Sequence, residues 1–234
     1  KNRRSCLSEP WRIPVDHPHW FSSSDSLAAI KWNPDFTSFS CTAFYRSNGI
    51  VGVRVNEIGV ISVYISPNRP INDFLVFTDR LCDAIGSAGC PVVVCGDFNS
   101  HSVLWGSPTT NRRGEILGSL ADQFDLVLCN VGTRFTCVRP QGSSIVDLTW
   151  ASASFADRVR NWCVLRDMET LSDHRLISFS ICRDMASSVV TKDTYPRWSL
   201  IGLDAELLSS TFNFLSSGMN CEASPDSLAA DIRD

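Results

Sequence analysis

Residues 91–101, Pro91-Val-Val-Val-Cys-Gly-Asp97-Phe-Asn99-Ser-His101, constrain the fold more than any other stretch of the chain. Three valines running into Cys95 and Gly96 read as a buried strand. The acid, aromatic and amide behind them read as a polar turn at its end. A sheet holds such a turn rigid and leaves it open at its edge, where α/β folds commonly place chemistry. Asp97 and Asn99 can put a base and a hydrogen-bond donor into one pocket. An Asx-type turn that merely caps a strand uses the same residue types, so this stretch alone leaves both readings open.

The rest of the chain alternates strand and helix patterns. Arg4-Ser-Cys-Leu-Ser-Glu9-Pro10 reads as the end of a strand, with Glu9 at its tip and Pro10 as the breaker. Residues 11–26 read as a polar, aromatic loop, and its His17 and His19 as solvent-facing or substrate-rim residues rather than a metal pair. Strands are expected at Leu27–Trp32, Phe39–Tyr45, Ile50–Val55 and Gly59–Tyr64, the last leaving its sheet through Pro67-Asn68. Ile71, Phe74, Leu75, Leu81 and Ile85 recur at helical spacing over 71–87, and Ile116, Leu117, Leu120 and Phe124 do so from Arg113 to Phe124. Further strands are expected at Leu126–Asn130, Asn161–Arg166 and Leu176–Ile181. A hairpin is expected to join Arg134–Val138 to Ser144–Trp150 around Pro140-Gln-Gly142. This pattern implies an α/β fold in which two packed sheets are flanked by helices. Residues 183–195 read as a polar linker. Leu203, Leu207, Leu208, Phe212 and Leu215 then mark an amphipathic helix in 196–234.

Composition narrows the function classes. A chain of 234 residues, 44% apolar and 20% charged, can bury a sizeable core. No apolar run is long enough to cross a membrane. The ten cysteines are scattered, several lie in strand-like runs, and no C-x-x-C pair occurs. Free thiols in a reducing compartment fit this pattern better than a disulfide framework or a zinc knuckle. The net charge of −4 does not announce a nucleic-acid binder, but the excess of acid lies entirely in residues 183–234. A neutral body can still grip DNA through a local basic face.

Asp147 stands inside the apolar run Ser144-Ile-Val-Asp147-Leu-Thr-Trp150, and Asp173-His174 stands just before a strand. A buried acid is costly without a partner. A carboxylate that accepts an imidazole N–H fixes the ring's tautomer and favours its charged form, so Asp147 is paired with His174 on chemical grounds.

Taken in order, Glu9, Tyr64-Ile-Ser-Pro67-Asn68, Gly96-Asp-Phe-Asn99, Ser144-Ile-Val-Asp147 and Ser172-Asp-His174 resemble the motifs of the endonuclease/exonuclease/phosphatase superfamily, which includes apurinic-site endonucleases and DNase I. Within it, Leu7-Ser-Glu-Pro10, Leu104-Trp-Gly-Ser107, Asn111-Arg-Arg-Gly114 and Glu169-Thr-Leu-Ser-Asp-His-Arg175 are similar to the endonuclease domain of non-LTR retrotransposons, above all jockey-like and related insect-type elements. The resemblance covers about residues 5–182. The tail, with Pro196-Arg-Trp198, is similar to the connector that leads to a reverse transcriptase.

The resemblance implies a four-layered α/β sandwich of two mixed β-sheets flanked by helices. It also implies a first strand with an Asn ahead of Lys1, so an N-terminally truncated domain is expected over 1–182. Glu9 would be a ligand of Mg²⁺ or Mn²⁺, with Asp173 supporting the metal region. Asp97 would orient or deprotonate the attacking water. Asn99 would help position the phosphate or that water, and Tyr64 would hydrogen-bond the phosphate, with Asn68 assisting. His174, held by Asp147, would donate to a non-bridging phosphate oxygen. Arg112, Arg113, Arg134 and Arg139 would contact DNA phosphates, each competing with a plain surface role. The implied partners are double-stranded DNA, the element's RNA and a reverse-transcriptase domain of the same polyprotein, in the nucleus and with no membrane. The rival readings are a phosphatase or phosphodiesterase built on the same centre, and a catalytically dead DNA-binding remnant.

Overall fold

The computed structural model describes residues 4–14, 17–33, 40–165, 168 and 170–182. The linker and helix expected over 183–234 lie outside the described residues. In chain order run β1 (Arg4–Ser8), β2 (Trp20–Ser22), β3 (Ala28–Trp32), β4 (Cys41–Ser47), β5 (Ile50–Val55), β6 (Ile58–Tyr64), α1 (Ile71–Ala88), β7 (Val92–Asp97), α2 (Arg112–Gln123), β8 (Leu126–Leu128), β9 (Cys137–Arg139), β10 (Gly142–Ser144), β11 (Asp147–Ser152), α3 (Ala153–Ala156), β12 (Val159–Val164) and β13 (Ile177–Ile181).

Six strands form one mixed sheet in the order β4-β5-β6-β7-β11-β8. Its centre is the parallel pair β6 and β7, joined through α1, and its other pairs are antiparallel. Period-two alternation sends the side chains of each strand to two different cores. Val92 and Val94 join Ile61, Val63, Phe74, Leu81, Leu117 and Trp150 under α1 and α2. Val93 joins Val51, Val53, Val60, Tyr64 and Ala151 on the opposite face. That second core is closed by antiparallel strands in two groups, β1-β3-β2 and β12-β13, through Ala28, Ile30, Trp32, Cys6, Phe179 and Ile181. The valines Val92–Val94 of β7 are apolar without alternation because the strand is covered on both faces. The α/β sandwich expected from the sequence is the fold observed.

Two local choices fix the centre of the sheet. α1 starts behind Pro70 and ends at Gly89, whose φ of +60° closes the helix in the left-handed conformation. Gly96 has φ +149°, and a Cβ there would stand 1.9 Å from the Val63 carbonyl oxygen, so only glycine lets β7 lie against β6 at this point.

Two expectations need correction, and one element was not foreseen. The hairpin is shorter than the pattern suggested: β9 and β10 pair over Cys137–Arg139 and Gly142–Ser144, while Asp147–Ser152 leaves it and joins the main sheet between β7 and β8. The apolar run misled because Thr149 and Ala151 face a core that only long-range pairing creates. Residues 20–22 form a short strand rather than loop, held by backbone pairing to β3. α3, a single turn after Ser152, carried no sequence signal.

Candidate active site

The register of the main sheet sets three polar side chains in a row. Tyr64 at the end of β6 is the partner of Asp97 at the end of β7, and Asp97 is the partner of Asp147 at the start of β11. Tyr64 faces the second core, and alternation along β7 and β11 turns Asp97 and Asp147 the same way. The row therefore lies at one mouth of the sandwich, between its layers.

The second layer adds to it from both groups of strands. Ser8, the last residue of β1, donates its hydroxyl to the Val63 carbonyl at 3.3 Å and accepts the Asp97 N–H at 3.2 Å. This ties β1 to β6 and β7 and delivers Glu9, whose φ is +46°, to the Tyr64 hydroxyl, with which its carboxylate is hydrogen-bonded. On the other side, His174 forms an antiparallel bridge with Cys137. The bridge is flanked by Val138 N–H donating to the Asp173 carbonyl at 2.8 Å and Arg175 N–H donating to the Thr136 carbonyl at 2.7 Å. Thr136 is fully buried, and its hydroxyl oxygen accepts the N–H groups of Val146 and Asp147, both at 3.1 Å. One threonine thus fixes both the Asp147 backbone and the segment that carries His174.

His174 and Asp147 are paired, as their chemistry suggested. His174 Nδ1 lies 2.8 Å from Asp147 Oδ2 and 3.0 Å from Oδ1. That contact leaves Nε2 pointing to Asp97, 3.8 Å from its Oδ2. The Asp147 hydrogen bond, helped by the charges of Asp147 and Asp97, raises the His174 pKa above its ordinary value against the opposing effects of burial and Arg139.

Asp97 is 2% exposed. Asn99 holds it at both ends: the Asn99 N–H donates to Oδ1 at 2.9 Å and Nδ2 donates to Oδ2 at 2.7 Å. Nδ2 also donates to the Ile65 carbonyl at 3.0 Å, which locks the amide. Burial, then the charge of Asp147, pushes the Asp97 pKa up to about 7, against the opposing pull of His174 and Asn99. A group poised there can take a proton at neutral pH. Burial and Glu9 also raise the Tyr64 hydroxyl, so Tyr64 remains a donor throughout the neutral range.

The donor set fits a hard divalent cation. Glu9, Asp97 and Asp147 bring carboxylates to one mouth, the oxygen chemistry that such an ion prefers. Oxygens of Asp97 and Asp147 and a His174 nitrogen fall within 4.8 Å of one another. The two-point contact between Asp147 and Nδ1 makes those two a hydrogen-bonded pair, with Asp97 Oδ2 3.8 Å from Nε2. Glu9, outside that pair, could hold such an ion.

The remaining expected residues divide. Asp173 lies beside the site but turns its carboxylate to Arg139 Nε at 3.1 Å, so the structure does not bring it to Glu9. Asn68 is exposed at the start of the loop behind Tyr64. Arg112 pairs with Glu115 at 2.9 Å on the surface, and Arg134 donates to the Val164 carbonyl at 3.3 Å. Arg113 departs from expectation. It is 8% exposed and directs its guanidinium at backbone carbonyls, so it faces no solvent phosphate. Ser8 and Thr136 were missed. Ser8 stands in the motif Leu7-Ser-Glu-Pro10 and could have been noticed there, whereas nothing in the sequence marks Thr136.

Comparison with known proteins gives this geometry a context. A sequence model of the endonuclease-reverse transcriptase family matches residues 58–178, more than half of the chain. The chain belongs to the endonuclease-reverse transcriptase family. The matched segment holds Tyr64, Asp97, Asn99, Asp147 and His174, and Glu9 lies before it. No curated protein matches the chain significantly. Among solved structures, the fold is similar to the endonuclease domain of TRAS1, a telomere-specific non-LTR retrotransposon, at 22% identity and a TM-score of 0.63, covering 76% of this chain and 84% of that one. It is also similar to an AP endonuclease from Archaeoglobus fulgidus, at 14% identity and a TM-score of 0.55, covering 76% and 88%. The 3′ phosphatase NExo from Neisseria, bound to a product DNA hairpin, matches at 16% identity and a TM-score of 0.50, covering 77% and 80%. At these identities the structural likeness speaks for the fold of the family member.

Proposed function

We propose that residues 1–182 are a Mg²⁺- or Mn²⁺-dependent endonuclease domain of a retrotransposon polyprotein. It nicks one strand of double-stranded DNA and leaves a 3′-hydroxyl that primes reverse transcription of the element's RNA. On this reading residues 183–234 lead toward a reverse-transcriptase domain, and the protein works in the nucleus. The observation that carries the proposal is the row Tyr64, Asp97, Asp147 with His174 Nε2 set 3.8 Å from Asp97 Oδ2.

A phosphodiester placed across that gap meets a base on one side and a donor on the other. Asp97, oriented by Asn99, takes a proton from water as the water oxygen bonds to phosphorus. The bond from phosphorus to the 3′-oxygen breaks, that oxygen takes a proton from solvent as it becomes the 3′-hydroxyl, and the phosphate stays on the 5′ side. His174, protonated and held by Asp147, donates from Nε2 to a non-bridging oxygen as charge builds there. Tyr64 donates to another phosphate oxygen. A divalent ion held at Glu9 would supply charge neutralisation for the phosphate and the leaving oxygen.

The test is the chemistry of the ends. A plasmid treated with the protein and Mg²⁺ should become nicked circles from which a DNA polymerase extends directly. Extension only after phosphatase treatment would reject this polarity of cleavage. Release of phosphate from 3′-phosphorylated ends without any nicking would favour a phosphatase.

A further inference from the structure

The motif Asn111-Arg-Arg-Gly114 has no place in the chemistry above, yet its side chains are tightly engaged. Asn111 caps α2: its Oδ1 accepts the Gly114 N–H at 2.8 Å and also the His101 N–H at 3.2 Å. The Asn111 N–H donates to the His101 carbonyl at 3.0 Å. A Cβ on Gly114 would stand 2.0 Å from that same carbonyl oxygen, so glycine lets the helix touch the turn behind Asn99. The guanidinium of Arg113 then lies between two loops. Its two terminal nitrogens donate to the carbonyls of Ser66, Pro67 and Arg69 behind Tyr64, and to the carbonyl of Asn99 at 3.3 Å. The Phe74 ring lies 5.0 Å beneath it. Among the described residues no carboxylate forms an ion pair with it.

A buried cation answered by carbonyls and a ring face, with the charge of Asp97 acting on it but no carboxylate in contact, is an expensive way to pack a helix. A planar fork is the side chain that can hold several carbonyls at fixed angles. One of the two loops carries Asn99, which fixes both Asp97 oxygens. The other follows Tyr64 and carries Ser66, a hydrogen-bond partner of the Tyr64 hydroxyl. We infer that Arg113 is a positioning residue: it clamps the Asn99 turn to the Ser66–Arg69 loop, so that Asp97 and Tyr64 meet the same phosphate in register. This rests on the nicking activity proposed above. Displacement of a reacting group by about 1 Å can cost about 100-fold in rate.

The test compares the full 234-residue chain with Arg113→Met and Arg113→Lys, by nicking kinetics and by hydrogen exchange. Arg113→Met should lower kcat about 30- to 100-fold, with KM changed less than about three-fold. Arg113→Lys should also lose kcat, because an ammonium cannot span the four carbonyls. In both variants the amides of residues 65, 66, 68 and 69 and of residues 98–101 should exchange faster together, while those of the β5–β6 pair stay protected. Unchanged exchange in these segments overturns the clamp, whether or not the wild type nicks. So does an active wild type matched in kcat by both variants, or a loss confined to KM with a weakened salt dependence, which would make Arg113 a phosphate contact. If Met unfolds the chain, the Lys variant decides by the same two readouts. An inactive wild type whose variants show the paired change in exchange counts against the nicking reading and leaves the clamp standing.

Discussion

Asp97 and Asp147 are cross-strand partners at one end of the main sheet, and His174 stands over both, 2.8 Å from Asp147 Oδ2 and 3.8 Å from Asp97 Oδ2. Two carboxylates in one row repel each other. The structure separates their roles through environment. Asp97 is buried and lifted to about 7, whereas Asp147 is matched by the imidazole, whose charged form it favours.

Stability should show the cost of that arrangement. The folded Asp97 pKa of about 7 lies above the unfolded value, so the folded state binds the proton more tightly. Its contribution to stability is fully present below about pH 4 and is lost as pH rises through 7. Asp97→Asn should therefore raise the metal-free melting temperature at pH 8, by a gain on the order of a few kcal/mol at 1.36 kcal/mol per pKa unit, and the gain should shrink toward pH 5. Thermal unfolding in EDTA at the two pH values reads this directly. A variant less stable than wild type at pH 8 would contradict it.

The His174 pKa sets the alkaline side of activity. Its proton is needed for donation, and Asp147 raises its pKa by hydrogen bond and charge. Asp147→Asn removes the charge, so the alkaline fall in kcat should move to lower pH and the maximum should drop, by about 10²- to 10⁴-fold. A kcat profile from pH 6 to 10 on supercoiled plasmid gives the comparison. An unmoved alkaline limb would separate the pair from catalysis.

Glu9 should govern the response to metal. In Glu9→Gln the Mg²⁺ concentration for half-maximal nicking should rise about ten-fold or more, with folding intact, since Glu9 is exposed and an exposed side chain contributes little to stability. A Mg²⁺ titration checks it. An unchanged requirement would move the ion to another carboxylate, Asp97 and Asp147 being the two that lie together at this mouth.

Gly114→Ala tests how tightly α2 sits on the turn behind Asn99. A methyl group 2.0 Å from the His101 carbonyl cannot be accommodated without backbone movement, so a loss of about 1–3 kcal/mol is expected by denaturant unfolding. A neutral substitution would mean that the helix can pull away from the turn.

Much of this was legible in the sequence because it depends on short-range pattern. The valines of β7, the apolar spacing of α1 and α2 and the Asp97–Asn99 turn are local signals, and Asp147 with His174 followed from the cost of an unpartnered buried acid. What was not legible depends on pairing across long separations. The row from Tyr64 to Asp147 exists only because β11 enters the sheet beside β7, and the run around Asp147 reads equally well as one arm of a hairpin. Arg113 reads from the sequence as a DNA-phosphate contact or a surface arginine, because the first turn of a helix is usually solvated. Its burial is created by a loop more than 40 residues earlier in the chain. Asp173 is next to His174 in sequence, but the bridge to Cys137 turns its carboxylate toward Arg139 instead of Glu9.

The most direct measurement is nicking of a supercoiled plasmid in Mg²⁺ and in EDTA by the wild type, Asp97→Ala and His174→Ala. The wild type should nick in Mg²⁺ and not in EDTA, and each variant should lose about 10²-fold or more of the rate while remaining folded. Equal nicking by all three proteins, or nicking by the wild type that persists in EDTA, would contradict the chemistry assigned to this site.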